Sequence, residues 1–275
     1  MNRLTVPYRH HLRVISFLLM LLVISCHKDP NQPVLKDTGR LKFIVDHRVN
    51  GQTLQENQWI YTNAAGNPYQ VSGLKYFISD ITLYPKEGPA HVIGDWQDIF
   101  YIDEDIPSTK TLRFFDPLPP ALYDSVSFIF GIRGEKNISN MYVNPPEVIM
   151  AWPEVLGGGY HYLMFDGKWK DTTGIEQPFN LHLGIGQLYH GAGFNTDSIY
   201  TFVQNWFRVS LPGSSITVPA GDTATLHIAM NLESWFETPH AYDLNYWGGA
   251  IMQNQSAMQI VKENGADVFS VTRNK

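Results

Sequence analysis

Of the chain's ten histidines, His47, His91, His161, His182, His190, His227 and His240 lie in its main body, while His10, His11 and His27 lie near the N-terminus. An imidazole nitrogen with a free lone pair is a common protein ligand for late transition metals. Two of these histidines occur in strand-like segments, Tyr160-His161-Tyr162-Leu163-Met164 and Phe179-Asn180-Leu181-His182-Leu183. Between them, Asp171-Thr172-Thr173-Gly174 has the composition of a turn. Antiparallel pairing about Asp171 and Thr172 sets His161 directly opposite His182, on one face and close enough to share an ion. A slip of one residue would change that partnership. His47 shares an alternating face with Leu41, Phe43 and Val45, so it is expected to point inward too. Inward imidazoles with no carboxylate pattern beside them suit copper or zinc, and the nearby thioethers of Met150 and Met164 favour copper(I). Taken singly, each histidine also has a plain reading as a hydrogen-bonded core or surface residue.

Other chemistries find little support. Gly157-Gly158-Gly159 is not a phosphate loop, because no GK[ST] and helix follow it. There is no G-x-S-x-G elbow and no H-E-x-x-H pair. Asp103-Glu104-Asp105 matches no defined calcium loop and reads as a solvated turn. No catalytic constellation emerges, so binding is expected rather than turnover. Exposed aromatics could instead form a platform for a glycan or protein partner, which is the alternative, non-metal reading.

The elements that must hold these residues are mostly strands. Residues 40–47, 74–84, 125–132, 160–165, 179–183, 206–211 and 223–230 are rich in β-branched and aromatic side chains. Turn formers separate them, among them Asn50-Gly51, Gly66-Asn67-Pro68 and Pro212-Gly213. This spacing predicts an all-β, immunoglobulin-like sandwich of two sheets. Helix is expected only as a turn over 233–237 and a short helix over 255–264, with Ala257, Ile260 and Val261 on one face.

The N-terminus has a different character. Arg3, Arg9 and Arg13 precede an apolar run over 14–24, too short to span a bilayer comfortably, which ends Leu22-Val23-Ile24-Ser25-Cys26. This is the pattern of a lipoprotein signal over 1–25, with Cys26, the single cysteine, as the lipid attachment site. Two or three acyl chains would hold the protein stably at a membrane. Residues 26–39 then form a polar, Pro-containing tether, and 40–275 a single domain. The expected location is the cell envelope, and Lys28-Asp29 favours the outer membrane, on its periplasmic or surface face. A formal net charge of −6 and the lack of a basic cluster beyond the signal argue against nucleic acid as a partner.

Several segments together resemble the MbnP-like family of exported copper-binding proteins. They are Phe43-x-x-x-His47-x-Val49-x-Gly51; Leu74-Lys75-Tyr76-Phe77-Ile78-Ser79-Asp80; Met150-Ala151-Trp152-Pro153-Glu154; Gly157-Gly158-Gly159-Tyr160-His161; Phe179-Asn180-Leu181-His182-Leu183-Gly184; and Trp235-Phe236-x-x-Pro239-His240. Their order and spacing hold from about residue 40 to the end. The resemblance implies a β-sandwich that binds copper outside the cytoplasm, with a di-haem oxidase of the MbnH type as a partner. It makes His47 and His182 the first choices as ligands and His161 the next. In related proteins a tryptophan is oxidised to kynurenine, and Trp152 holds the position nearest such a candidate. Here Pro153-Glu154 stand where other branches carry a second aromatic, and no Trp-x-His pair is present, which points to a packed core role for Trp152.

Overall fold

The computed structural model describes residues 37–94 and 98–272. The expected signal segment, Cys26 and nearly all of the tether therefore lie outside the described residues. The longer strands are β1 (Gly39–Val49), β2 (Pro68–Pro85), β3 (Ile99–Asp103), β4 (Thr111–Leu118), β5 (Ala121–Phe130), β6 (Leu163–Lys170), β7 (Glu176–Leu183), β8 (Gly186–Tyr189), β9 (Ile199–Val203), β10 (Phe207–Leu211), β11 (Ile216–Val218), β12 (Thr223–Asn231) and β13 (Phe269–Val271). The fold is all-β and sandwich-like, as expected.

One sheet is built on β1. It pairs in parallel with β12, from Arg40 opposite Thr223 to Arg48 opposite Asn231, and β13 extends the sheet beyond β12. On its other edge β1 pairs antiparallel with β4 and with the short strand Gln52–Thr53. Alternation along β1 buries Leu41, Phe43, Val45, His47 and Val49, the period-2 pattern of a strand with one face on the core. The second sheet runs β7-β6-β2-β5-β10, with β3 also on β2 and β11 also on β5. The long strand β2 serves both halves of it. Tyr69 to Tyr76 pair with β6, and Ile78 to Pro85 pair with β5. A third, two-stranded sheet is the hairpin of β8 and β9.

The facing sides are filled by aromatic rings. Phe43 meets Phe114 edge-on at 4.8 Å, and Tyr76 stacks on Phe130 at 5.6 Å. Each such ring, fully removed from water, contributes roughly 1.5–3 kcal/mol. Helix α1 (Gln255–Asn264) matches its sequence expectation to the residue. Asn254 caps it by accepting from the Ala257 amide, and Ala257, Met258 and Val261 are buried. The expected turn at 233–237 is a short 3-10 segment, Leu232–Phe236.

The strand expected over 160–165 begins only at Leu163. Gly157, Gly158 and Gly159 all have positive φ, at 115°, 67° and 78°, a run that residues with a Cβ rarely adopt. The chain therefore curls before it enters the sheet. The next amide, that of Tyr160, donates to Asn137 Oδ1 at 2.9 Å rather than to a neighbouring strand.

A candidate metal centre at His161 and His182

The curl of residues 157–159 delivers His161 to the end of β7. Its backbone N–H donates to the Met150 carbonyl at 2.7 Å, and Tyr162 donates to the Leu183 carbonyl at 2.7 Å. The imidazoles of His161 and His182 meet edge to face, with ring centroids 5.0 Å apart. The expected reason for this meeting does not hold. The β6–β7 register places Met164, not His161, opposite His182, so the hairpin turns about Thr173 rather than about Asp171 and Thr172. The two rings converge because the glycine curl takes His161 out of strand geometry.

His161 is 5% exposed. Its Nδ1–H donates to the Met150 carbonyl at 2.9 Å. A carbonyl can only accept, so the proton sits on Nδ1 and the lone pair on Nε2. That Nε2 is buried and has no hydrogen-bond partner. Burial first, and then the neighbouring His182, push the His161 imidazole down to about 4, against the opposing effect of the Met150 carbonyl. At neutral pH the ring is uncharged and presents a bare lone pair, the form a metal ligand must take.

His182 is held differently. Its Nε2–H donates to Asp166 Oδ1 at 2.8 Å, and Asn180 Nδ2 donates to the same oxygen at 2.6 Å. Burial would raise the Asp166 carboxyl, but the bond and charge of His182, then Asn180 and Lys75, outweigh it and hold it below the usual carboxylate range. A histidine that gives one N–H to a carboxylate keeps its other nitrogen free and its ring oriented, as metal-binding histidines commonly do. The expectation that no carboxylate stands beside the histidines is therefore corrected: Asp166 orients His182, and Glu104 meets His47. The partnership of Asp166 with His182 depends on cross-strand register, which local sequence does not set. His182 also does not point into the core. It lies on the half-buried face of β7, with Asn180, while Phe179, Leu181 and Leu183 point inward.

Trp152 packs edge-on against His161, ring centroids 4.6 Å apart, and its indole N–H donates to the Leu156 carbonyl at 3.1 Å. It is 2% exposed, in line with a packed role. The glycine of the segment His182-Leu183-Gly184 has a steric reason here. A Cβ on Gly184 would lie 2.6 Å from the Trp152 ring. Met150 is fully buried, and what it offers His161 is its backbone carbonyl. Met164 is half-buried on the same face as His182.

His47 points inward, as expected, but it belongs to a different network. Its Nδ1–H donates to Glu104, and its Nε2 accepts from the Tyr76 hydroxyl at 2.9 Å. Lys110 closes the network on Glu104 at 3.0 Å. Burial would raise the Glu104 carboxyl, but His47 and Lys110 lower it overall. With both nitrogens engaged, His47 has no lone pair to offer without breaking a bond. Among the described residues, no group of three or more His, Cys, Asp or Glu side chains is gathered to hold a metal ion. The expected trio thus separates into a pair, His161 and His182, and a structural histidine, His47. Glu104, read in the sequence as part of a solvated turn, is the partner that fixes His47 in place.

Fold and site together define a β-sandwich protein in which a buried histidine, packed on a tryptophan, meets a half-buried histidine oriented by a carboxylate. The profile of the MbnP family matches residues 38–258, and the chain belongs to that family. Its structure is similar to that of MbnP from Methylosinus trichosporium, with a TM-score of 0.50 and 15% identity, over 76% of this chain and 80% of that one. At that identity the likeness speaks for the fold. No curated protein matches the chain.

Proposed function

We propose that this protein is a lipid-anchored envelope protein that binds copper through His161 and His182, for storage, delivery or scavenging, without catalysis of its own. The observation that carries the reading is the bare Nε2 of His161. A buried polar atom without a partner costs about 1–3 kcal/mol, and a bound cation would relieve that cost. The neighbouring His182, oriented by Asp166, supplies a second imidazole, and two imidazole nitrogens suit a late transition metal. Copper, when bound, would supply a one-electron redox couple. The protein's own residues would bind it, exclude water from it and hold the imidazoles in place. Membership of the MbnP family supports copper over zinc.

Two further elements complete the proposal. Lipidation of Cys26 would place the domain at the outer membrane, and a di-haem oxidase of the MbnH type would be its partner. A module for glycans or proteins would have no need of paired imidazoles, so the pairing weighs against that reading.

Copper analysis of the full chain purified from membranes is the test. The proposal expects about one copper per chain, lost in His161→Ala and in His182→Ala while the fold persists by circular dichroism. Retention of copper in both variants would refute it. For the anchor, Cys26→Ser should move the protein to the soluble fraction and remove the lipid mass.

A further inference from the structure

The outer face of β7 carries more soft donors than the histidine pair needs. His182 has Met164 directly across on β6. On the opposite edge of β7 runs the segment after Trp247. The Asn180 amide donates to the Gly249 carbonyl at 2.8 Å, and Asn180 pairs in parallel with Ala250. The segment then turns at residues 252–253, and Met252 lines the same groove as His182. Ile251 is buried, whereas Met252 is half-buried, like Met164 and His182. Asn180, His182, Ala250 and Met252 line one open groove of about 500 Å³, with Phe194 on its wall. His182 thus has Met164 across from it on β6 and shares its groove with Met252.

We propose that Met164, His182 and Met252 form a capture site for a soft monovalent cation, copper(I), on the groove side of the buried His161. This rests on the copper reading above and adds a route for the metal. Thioethers are neutral and polarisable, so they favour soft, low-charge ions over magnesium, calcium or zinc. The neighbouring carboxylate, Asp166, is already engaged by His182 and Asn180. His161 lies deeper, so His182 is the member of the pair that an ion in the groove reaches first. The ion would then pass from the thioethers to the His161–His182 pair, with His182 common to both sites. No change of oxidation state is involved.

The test uses the full chain in detergent with methyl-13C methionine, titrated with silver(I) nitrate in chloride-free buffer. Silver(I) shares the charge and softness of copper(I). The Met164 and Met252 methyl signals, assigned with Met164→Leu and Met252→Leu, should move with the first equivalent. Those of the buried Met230 and Met258 should stay. The double leucine variant should bind silver(I) about tenfold more weakly, the lower end of what supporting groups contribute to a metal site. Its thermal unfolding should be nearly unchanged, because Met-to-Leu exchange conserves volume. Silver(I) bound with neither methyl moving, or bound equally tightly by the double variant, would overturn the capture site and leave the histidine pair standing. If the parent protein takes up neither silver(I) nor copper(I), both readings fall.

Discussion

The rings of His161 and His182 touch at 5.0 Å between centroids, although the residue across the sheet from His182 is Met164. The contact depends on three consecutive left-handed glycines and on the Met150 carbonyl, which fixes the His161 ring through Nδ1. The site is thus held by backbone geometry outside the sheet on one side and by a strand on the other.

Removing His47 should separate structure from binding. His47→Ala removes one of the partners of Glu104, which keeps Lys110, and leaves the buried Tyr76 hydroxyl without its acceptor, at a cost of about 1–3 kcal/mol. Urea unfolding should show that loss, while copper stoichiometry measured on the folded variant stays that of the parent. Loss of copper at full stability would place His47 among the ligands instead.

Asp166→Asn should weaken metal binding without unfolding the protein. Asp166 orients His182 through a 2.8 Å bond, and loss of such a group typically costs about 10–100-fold in metal affinity. Competition with a chromophoric copper(I) chelator would measure it. An affinity within twofold of the parent would mean that the carboxylate has no part in the site.

Gly184→Ala should be felt at the tryptophan. The added Cβ would lie 2.6 Å from the Trp152 ring, which is buried and cannot swing aside freely. Overpacking of this kind costs about 1–3 kcal/mol. Because Trp152 packs on His161, copper affinity should fall together with the melting temperature, and near-ultraviolet circular dichroism should report the displaced indole.

Acid should weaken the metal-free protein in a defined window. The folded-state value of His161 is pushed down to about 4 by burial, from an ordinary 6.5. Below 6.5 the unfolded chain therefore binds a proton that the folded chain refuses, and stability falls as pH falls until about 4. The span is worth at most about 3 kcal/mol. Asp166 and Glu104, both held low, add losses of the same sign at lower pH. Melting temperatures from pH 7 to 4 in chelator should fall less steeply for His161→Gln than for the parent. Parallel curves would show that His161 does not titrate in this way.

Much of the architecture follows from local pattern. The alternation in β1 put His47 inward, and the apolar stripe of residues 255–264 marked α1, because burial period is a property of a few neighbouring residues. The segments containing His47, His161 and His182 carried the family resemblance. What local pattern could not decide was which histidines meet. Pairing of His161 with His182 depends on the exact hairpin register and on where a strand begins, and three glycines moved that start to Leu163. The roles of Asp166 and Glu104 arise from contacts 16 and 57 residues away along the chain. Composition is local, but a site is a convergence of lone pairs, and only the tertiary fold sets which of them are already used and which remain free.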